Sequence, residues 1–231
     1  MMKYFTSIMN SDRREHPSFI SFLEKERKKI YFKEIIGFLF KTNKEIICPN
    51  LEDIFRSFSF FDFQDLRIVI LGQDPYHQKD VADGLAFSTK HQKTPASLKN
   101  IFKELIYEFP EIKIKSNDLS CWAKQGILLQ NTFLTTELEK ARAHSFLPWK
   151  IFTMNLIEYI NTNLSNVIFL LWGNDAKEMK CLIDSTKHFI LESSHPSPLS
   201  FYKGFFKNNH FVKVNEILKA NNLKQIDWNI F

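Results

Sequence analysis

The hexapeptide "GQDPYH", residues 72–77, places a carboxylate (Asp74), a phenol (Tyr76) and an imidazole (His77) directly after the apolar run "LRIVIL". Such groups can stabilise charge or read a ligand by hydrogen bonds. Alone, the stretch also suits a plain turn, since Gly72 relaxes the backbone, Asp74 can cap and Pro75 fixes a dihedral. Three further apolar runs end in the same way: "GILLQN" (126–131) leads to Asn131 and Thr132, "NVIFLLW" (166–172) to "GNDA", and "HFILES" (188–193) to "SHPSPLS".

These four runs are short, rich in Ile, Leu and Val, and nearly continuous rather than alternating. Strands buried on both faces of a parallel sheet have this signature. Helical spacing marks "PASLKNIFKELIYEF", "PWKIFTMNLIEYINTN", "NDAKEMKCLID" and "NEILKANN" between and after them, and "PSFISFLEKERKK" and "YFKEIIGFLFKTNK" before them. Pro95 stands where a first-turn proline is favoured. The alternation predicts a three-layer α/β/α fold around a central parallel sheet of about four strands. All C-terminal strand ends then share one edge, where ligands bind such sheets. Asp74, His77, Asn131 and His195 are thus expected in one cleft. Each has a plain alternative, Asn131 with Thr132 as a helix cap and His195 as a solvated loop histidine. Their recurrence at one edge favours an active site.

The 231 residues, 44% of them hydrophobic and 25% charged, fit a single domain over 1–231. Phenylalanine is over-represented at 24 residues. No apolar run reaches the ~18 residues of a membrane span, and "MMKYFTSIMNSDRREHPSF" reads as neither signal nor transit peptide. Cys48, Cys121 and Cys181 are scattered, with no C-x-x-C, so neither a disulfide framework nor a metal site is expected. The net charge of +5 mildly favours a polyanionic partner. The segment "SSHPSPLSFYKGFFKNNHFVKVN" has no acidic residue; it interleaves Lys203, Lys207 and Lys213 with Phe201, Tyr202, Phe205, Phe206 and Phe211. That pattern suits phosphates and stacked bases, or else aromatics buried against the last helix.

With "RIVILGQDPYH", "DGLAFS", "TPASLKNIFKEL", "WAKQGILLQNT", "AHSFLPW", "NVIFLLWG", "HPSPLS", "GFFKNNHF" and "IDW" in this order, the chain resembles the uracil-DNA glycosylases of the uracil-N-glycosylase type over nearly its whole length. The resemblance implies a base excision repair enzyme that flips uracil out of DNA and hydrolyses its N-glycosidic bond. Free uracil and an abasic site would result. It implies that Asp74 stabilises the sugar cation and orients water, while a neutral His195 donates to the uracil O2. Asn131 would read O4 and N3–H, Tyr76 would exclude a 5-methyl group, Phe87 would stack on the base, and the backbone beside Gln73 would complete the O2 contacts. Leu199 would fill the vacated place in the duplex. Pro95, Ser97, Gly173, Ser197, Lys203 and His77 would grip the DNA backbone.

Also implied are no cofactor or metal, uracil-containing single- and double-stranded DNA as partner, and no membrane. Abasic-site repair enzymes would act downstream. A cytoplasmic monomer is expected, on the assumption of a prokaryotic source. The chain departs from the family's usual pattern at Gln78, Lys79, Asp83, Ala96, Asn174 and Lys203, positions that bear on DNA grip rather than on the reaction. Rival readings are a glycosylase of relaxed specificity, opposed by Tyr76 and Asn131, and a catalytically dead DNA-binding protein, opposed by Asp74 and His195. A nucleotide-binding kinase or dehydrogenase would need a glycine-rich phosphate motif, and the six glycines form none.

Overall fold

The computed structural model describes residues 17–231. Residues 1–16, most of the stretch read above for a targeting signal, lie outside the described residues. Helices α1 (Pro17–Lys28) and α2 (Ile30–Lys41) come first, followed by a two-residue strand, β1 (Ile47–Cys48). A run of 3-10 turns leads to β2 (Ile68–Gly72). Then come α3 (Ala96–Glu108), the short α4 (Ser120–Ala123), β3 (Ile127–Asn131) and β4 (Thr136–Glu137). Helix α5 (Trp149–Asn163), β5 (Ile168–Trp172), the single turn α6 (Asn174–Lys177), β6 (Phe189–Ser193) and α7 (His210–Ala220) complete the order.

Strands β3, β2, β5 and β6 lie side by side in that order, all parallel. Side chains alternate between faces, as the pleat requires. Val69, Leu71, Leu128, Phe169 and Leu171 join one core, shared with α1, α2 and α5. Ile68, Ile70, Ile127, Leu129, Ile168 and Leu170 join the other, shared with α3, α4 and α7. Both faces are covered, so the apolar runs need not alternate. The predicted three layers and four strands are present.

Much of the phenylalanine excess goes into the first core. Phe19 meets Phe58, Phe61 and Phe63 at centroid distances of 5.1, 5.7 and 5.4 Å, in tilted and edge-on contacts that aromatic pairs favour. The basic–aromatic segment behaves likewise. Phe201, Phe205 and Phe211 are buried, Phe206 is half-buried and Tyr202 is exposed. Most of those rings therefore serve the second core and not a stacking surface.

Several details differ from the sequence expectation. Pro95 is the N-cap of α3, one position before the helix. The stretch 174–184 forms a helical turn and a 3-10 continuation (Glu178–Leu182), because it joins the adjacent strands β5 and β6 and has little distance to span. The closing helix starts at His210, five residues before the expected "NEILKANN". Strand β6 is the sheet edge, so its apolar run is only half-buried and Glu192 is exposed. The antiparallel pair β1–β4 had no sequence signal, being two residues per strand.

Gly37 lies within α2, and a Cβ there would meet nothing within 4 Å. Replacing it with alanine removes the entropic cost of a helical glycine without crowding. Gly37→Ala is expected to stabilise the protein by about 0.5–1 kcal/mol, read as a higher urea midpoint at unchanged slope. A lower midpoint would show that the site is not open.

Candidate active site

The strand register sets the site. Gly72 is opposite Asn131, and Trp172 is opposite Ser193, so the four strands end in one row. Gly72 has no side chain for a specific reason. A Cβ there would collide with Asn131 Oδ1 and lie 3.2 Å from Ala86 Cβ and 3.3 Å from Phe87 Cε2. Close approach, and not turn flexibility, is what residue 72 supplies. Past the strand ends the two chains stay joined, with the Thr132 N–H and hydroxyl donating to the Gly72 carbonyl and the Phe133 N–H to that of Gln73.

One cavity beyond this edge is lined by Gln73, Asp74, Tyr76, His77, Phe87, Ser97, Asn131 and His195, together with apolar residues such as Ile54, Leu85 and Leu134. Eight of the predicted site residues thus meet there. Asn131 brings a side-chain amide that no described residue engages. Gln73 turns its side chain away, donating to Asp175 Oδ2 at 2.7 Å, so its main chain is what it offers the cavity. The Tyr76 hydroxyl donates to the Phe87 carbonyl at 3.0 Å, fixing the phenol, and burial pushes its pKa well up. Phe87 has φ of +65°, unusual for a bulky residue, and its ring packs 5.5 Å from Trp172 and 5.7 Å from His195.

Asp74 and His195 differ in how they are held. The Arg142 N–H donates to Asp74 Oδ2 at 2.7 Å. Burial raises the Asp74 pKa above the ordinary carboxylate value, opposed by that N–H and by the Arg142 and His77 charges. Burial lowers the His195 pKa to about 4, so its ring is neutral at pH 7. Nδ1 accepts from the Ser197 N–H at 3.0 Å, which assigns the ring proton to Nε2. The site therefore pairs a carboxylate with a neutral N–H donor.

The other predicted residues lie around this cavity. Gly173, at φ +96°, supports His195, and a Cβ there would be 2.9 Å from the His195 Cβ. Ser197 bonds to the His195 ring and, through Oγ, to Ser200 Oγ at 2.9 Å. Pro95 caps α3 two positions before Ser97. Lys203 is exposed, and Leu199 stands 85% exposed, so it is not packed against Phe201 or Tyr202. His77 has a buried Nδ1 without a partner among the described residues. Asp83, grouped above with departures affecting DNA grip, is instead 6% exposed and paired with Arg56 inside the protein.

Two residues of this site were not singled out from the sequence. Arg142 reaches Asp74 through its main chain and Asp175 Oδ1 through its side chain, at 3.2 Å. Asp175 holds both Gln73 and Arg142. The "GNDA" position hinted at Asp175; a main-chain donor such as Arg142 N–H leaves no mark in residue type. Among the described residues, no group of three or more His, Cys, Asp or Glu is placed to hold a metal ion.

A family model described as "Uracil DNA glycosylase superfamily" matches residues 58–219. The chain is 47% identical over 224 residues to the uracil-DNA glycosylase of Mycoplasmopsis pulmonis, covering 96% of this chain and 100% of that one. It is 47% identical over 212 residues to that of Francisella tularensis subsp. novicida, covering 90% and 96%. The crystal structure of mimivirus uracil-DNA glycosylase superposes with a TM-score of 0.84 at 29% identity, over 99% of this chain and 93% of that one. A mimivirus UNG variant in complex with UGI gives 0.82 at 31% identity, over 93% and 89%. Family match, relatives and structural neighbours agree with the geometry at the sheet edge: this chain belongs to the uracil-DNA glycosylase superfamily.

Proposed function

We propose that the protein is a monofunctional uracil-DNA glycosylase of base excision repair, and that its sheet-edge cavity holds uracil flipped out of DNA. The observation that carries this is the pairing, in one cavity, of Asp74 with a His195 fixed as the neutral Nε2–H tautomer, beside the unengaged amide of Asn131. As the bond from C1′ to the base nitrogen breaks, its electron pair leaves with uracil and positive charge develops on the sugar. The Asp74 carboxylate stabilises that cation and orients a water molecule. The water oxygen bonds to C1′ and releases a proton to solvent, and the uracil anion takes up a proton from solvent to leave as neutral uracil. His195 Nε2–H and main-chain N–H groups at Gln73 and Asp74 stabilise charge on O2, each such donor being worth roughly 3 kcal/mol.

Selection follows from shape and hydrogen bonding. The Asn131 amide donates to O4 and accepts from N3–H, and cytosine mismatches it at both atoms. The phenol of Tyr76, held by its bond to the Phe87 carbonyl, fills the space a 5-methyl group needs. Phe87 stacks on the base, and the exposed Leu199 enters the space it vacates. Pro95 and Ser97 at the start of α3, with His77, Gly173, Ser197 and Lys203, grip phosphates on either side. The enzyme acts on single- and double-stranded DNA as a one-domain monomer in a prokaryotic cytoplasm, without cofactor or metal. The abasic site it leaves requires processing by other repair enzymes. No helix among the described residues is long and apolar enough to cross a membrane.

Asp74→Asn should lower the single-turnover rate by about a hundredfold or more while leaving binding to uracil-containing DNA nearly intact. Acidification neutralises Asp74, whose pKa burial raises above the ordinary carboxylate value, so wild-type activity falls on the acid side. In the variant the part of that fall due to Asp74 should be absent, and the pH profile should differ from wild type. A wild-type rate or an unchanged acid limb would remove Asp74 from the mechanism.

Base-release assays on the three pyrimidines test the pocket. Tyr76→Ala should admit thymine, and Asn131→Asp should gain activity on cytosine by exchanging a donor for an acceptor. Strict uracil specificity in both variants would refute the assignment.

Leu199→Ala removes two to three methylene-equivalents of contact within the duplex, roughly 1.5–2.5 kcal/mol at ~0.8 kcal/mol each. Duplex cleavage should slow by about ten- to seventyfold, with single-stranded cleavage little affected because its base is already unpaired. As Leu199 is exposed, the melting temperature should not move. Equal losses on both substrates would rule out the wedge.

A further inference from the structure

One buried charged pair takes no part in the chemistry above. Arg56 and Asp83 are each 6% exposed and form a 2.8 Å ion pair. Arg56 Nη1 also donates to the Asp83 carbonyl at 3.0 Å, and Nη2 to Ser120 Oγ at 2.7 Å. The Asp83 carboxylate in turn fastens both ends of the turn just after it. Oδ1 accepts from the Leu85 N–H at 3.0 Å, and Oδ2 accepts from the Ser88 hydroxyl at 2.8 Å. Ser88 Oγ itself accepts from the Leu119 N–H at 3.0 Å. Between these anchors lies Phe87, at a left-handed φ of +65° that a phenylalanine adopts only when its surroundings impose it.

The segment carrying Arg56 braces a second wall of the cavity. A Cβ on Gly84, at φ +88°, would collide with the Asp53 carbonyl, so the turn rests directly on this segment. One residue past Arg56, the Ser57 hydroxyl donates to Gln130 Oε1 at 2.8 Å. Gln130 immediately precedes Asn131, and its Nε2 donates to the Asn131 carbonyl at 3.2 Å. Residues 53–57 thus touch both the loop that carries the aromatic ring and the strand end that carries the amide.

We infer that Arg56 and Asp83 are positioning residues for base recognition, acting through Phe87 by holding its ring at a fixed angle and depth relative to Asn131. A buried ion pair is often no more stabilising than an apolar replacement, so rigidity of the turn is the gain this pair supplies. The inference rests on the reading of Phe87 as the surface on which uracil stacks.

The test uses free uracil as a product inhibitor of cleavage of a single-stranded substrate, well below the melting temperature. Asp83→Asn keeps the size of the side chain but removes its charge and turns one of its two acceptor oxygens into a donor. It is expected to raise the inhibition constant for uracil about tenfold, with kcat changed far less, because stacking acts equally before and during bond cleavage. In a Phe87→Ala background the same substitution should leave the inhibition constant unchanged. Ser88→Ala, which removes a single bond to the carboxylate, should show the same pattern at a smaller size and covers the case of Asp83→Asn failing to fold. A lowered melting temperature with an unaltered inhibition constant, or a full effect that persists without the Phe87 ring, would overturn the inference. If Phe87→Ala alone leaves uracil inhibition unchanged, the stacking assignment itself falls, and this inference with it.

Discussion

The site depends on how closely β2 and β3 approach at their C-terminal ends. Their register puts Gly72 opposite Asn131, and the absent side chain at 72 is what lets the Asn131 amide and the Phe87 ring close over that point. The bonds from Thr132 and Phe133 back to Gly72 and Gln73 continue the join past the strand ends. Asp74 and Asn131 therefore belong to one rigid unit, although 57 positions separate them in sequence. A slip of one residue would send Asn131 to the opposite face of the sheet. Such a slip is opposed by the two hydrophobic cores, since every residue of β2 and β5 is buried.

Burial acts on the two reactive groups in opposite directions on the pH scale, yet in both it favours the uncharged form. His195 accepts that outcome. Its Nδ1 is already committed to the Ser197 N–H, so the neutral tautomer loses nothing. Asp74 is held against it by the Arg142 N–H and by the Arg142 and His77 charges. In the proposed reaction the result is a negative group for a sugar that becomes positive and a neutral donor for a base that becomes negative. Each interaction is strengthened by the reduced dielectric of the cavity. Asp175, a second carboxylate nearby, raises the Asp74 pKa slightly, but it is occupied by Gln73 and Arg142.

The strands and most of the polar residues that line the cavity were legible because their signals are local. A short apolar run followed by a polar group is visible without a partner, and β2, β3, β5 and β6 each show one. What escaped depends on main-chain atoms or on contacts between distant turns. Arg142 serves Asp74 through an N–H that any residue but proline possesses. The pair β1–β4 has two residues per strand, too few for a period. The segment after His195 misled in part because lysines interleaved with aromatics fit a nucleic-acid surface and a capped core equally well; burial of Phe201, Phe205 and Phe211 decides for the core. Asp83, a departure from the family's usual residue grouped above with those bearing on DNA grip, is explained by its buried contact with Arg56, 27 positions upstream, which residue type does not reveal.

The loop from Ser194 to Ser200 joins the cavity to the surface proposed to meet DNA. Ser200 Oγ donates to the His195 carbonyl at 2.7 Å, Ser194 Oγ donates to the Ser200 carbonyl at 2.8 Å, and the Ser197 N–H holds the His195 ring. Leu199 projects from this closed set of bonds, four residues from the histidine. Helix α3 anchors both this loop and the chain leading from it into α7. Asn100 donates to the Pro196 carbonyl, Glu104 accepts from the Lys207 and Asn209 N–H groups, and Glu108 accepts from that of Val212. Spaced four apart, these three side chains share one helix face. Burial, with Glu104 beside it, pushes the Glu108 pKa well up. The same helix begins at Pro95 and Ser97, the residues assigned to the phosphate backbone. Leu199, His195 and the start of α3 are thus fixed to one framework. On the proposed reading, a base that reaches His195 does so with Leu199 already beside the place it has left, which would link extrusion from the helix to the geometry needed for bond cleavage.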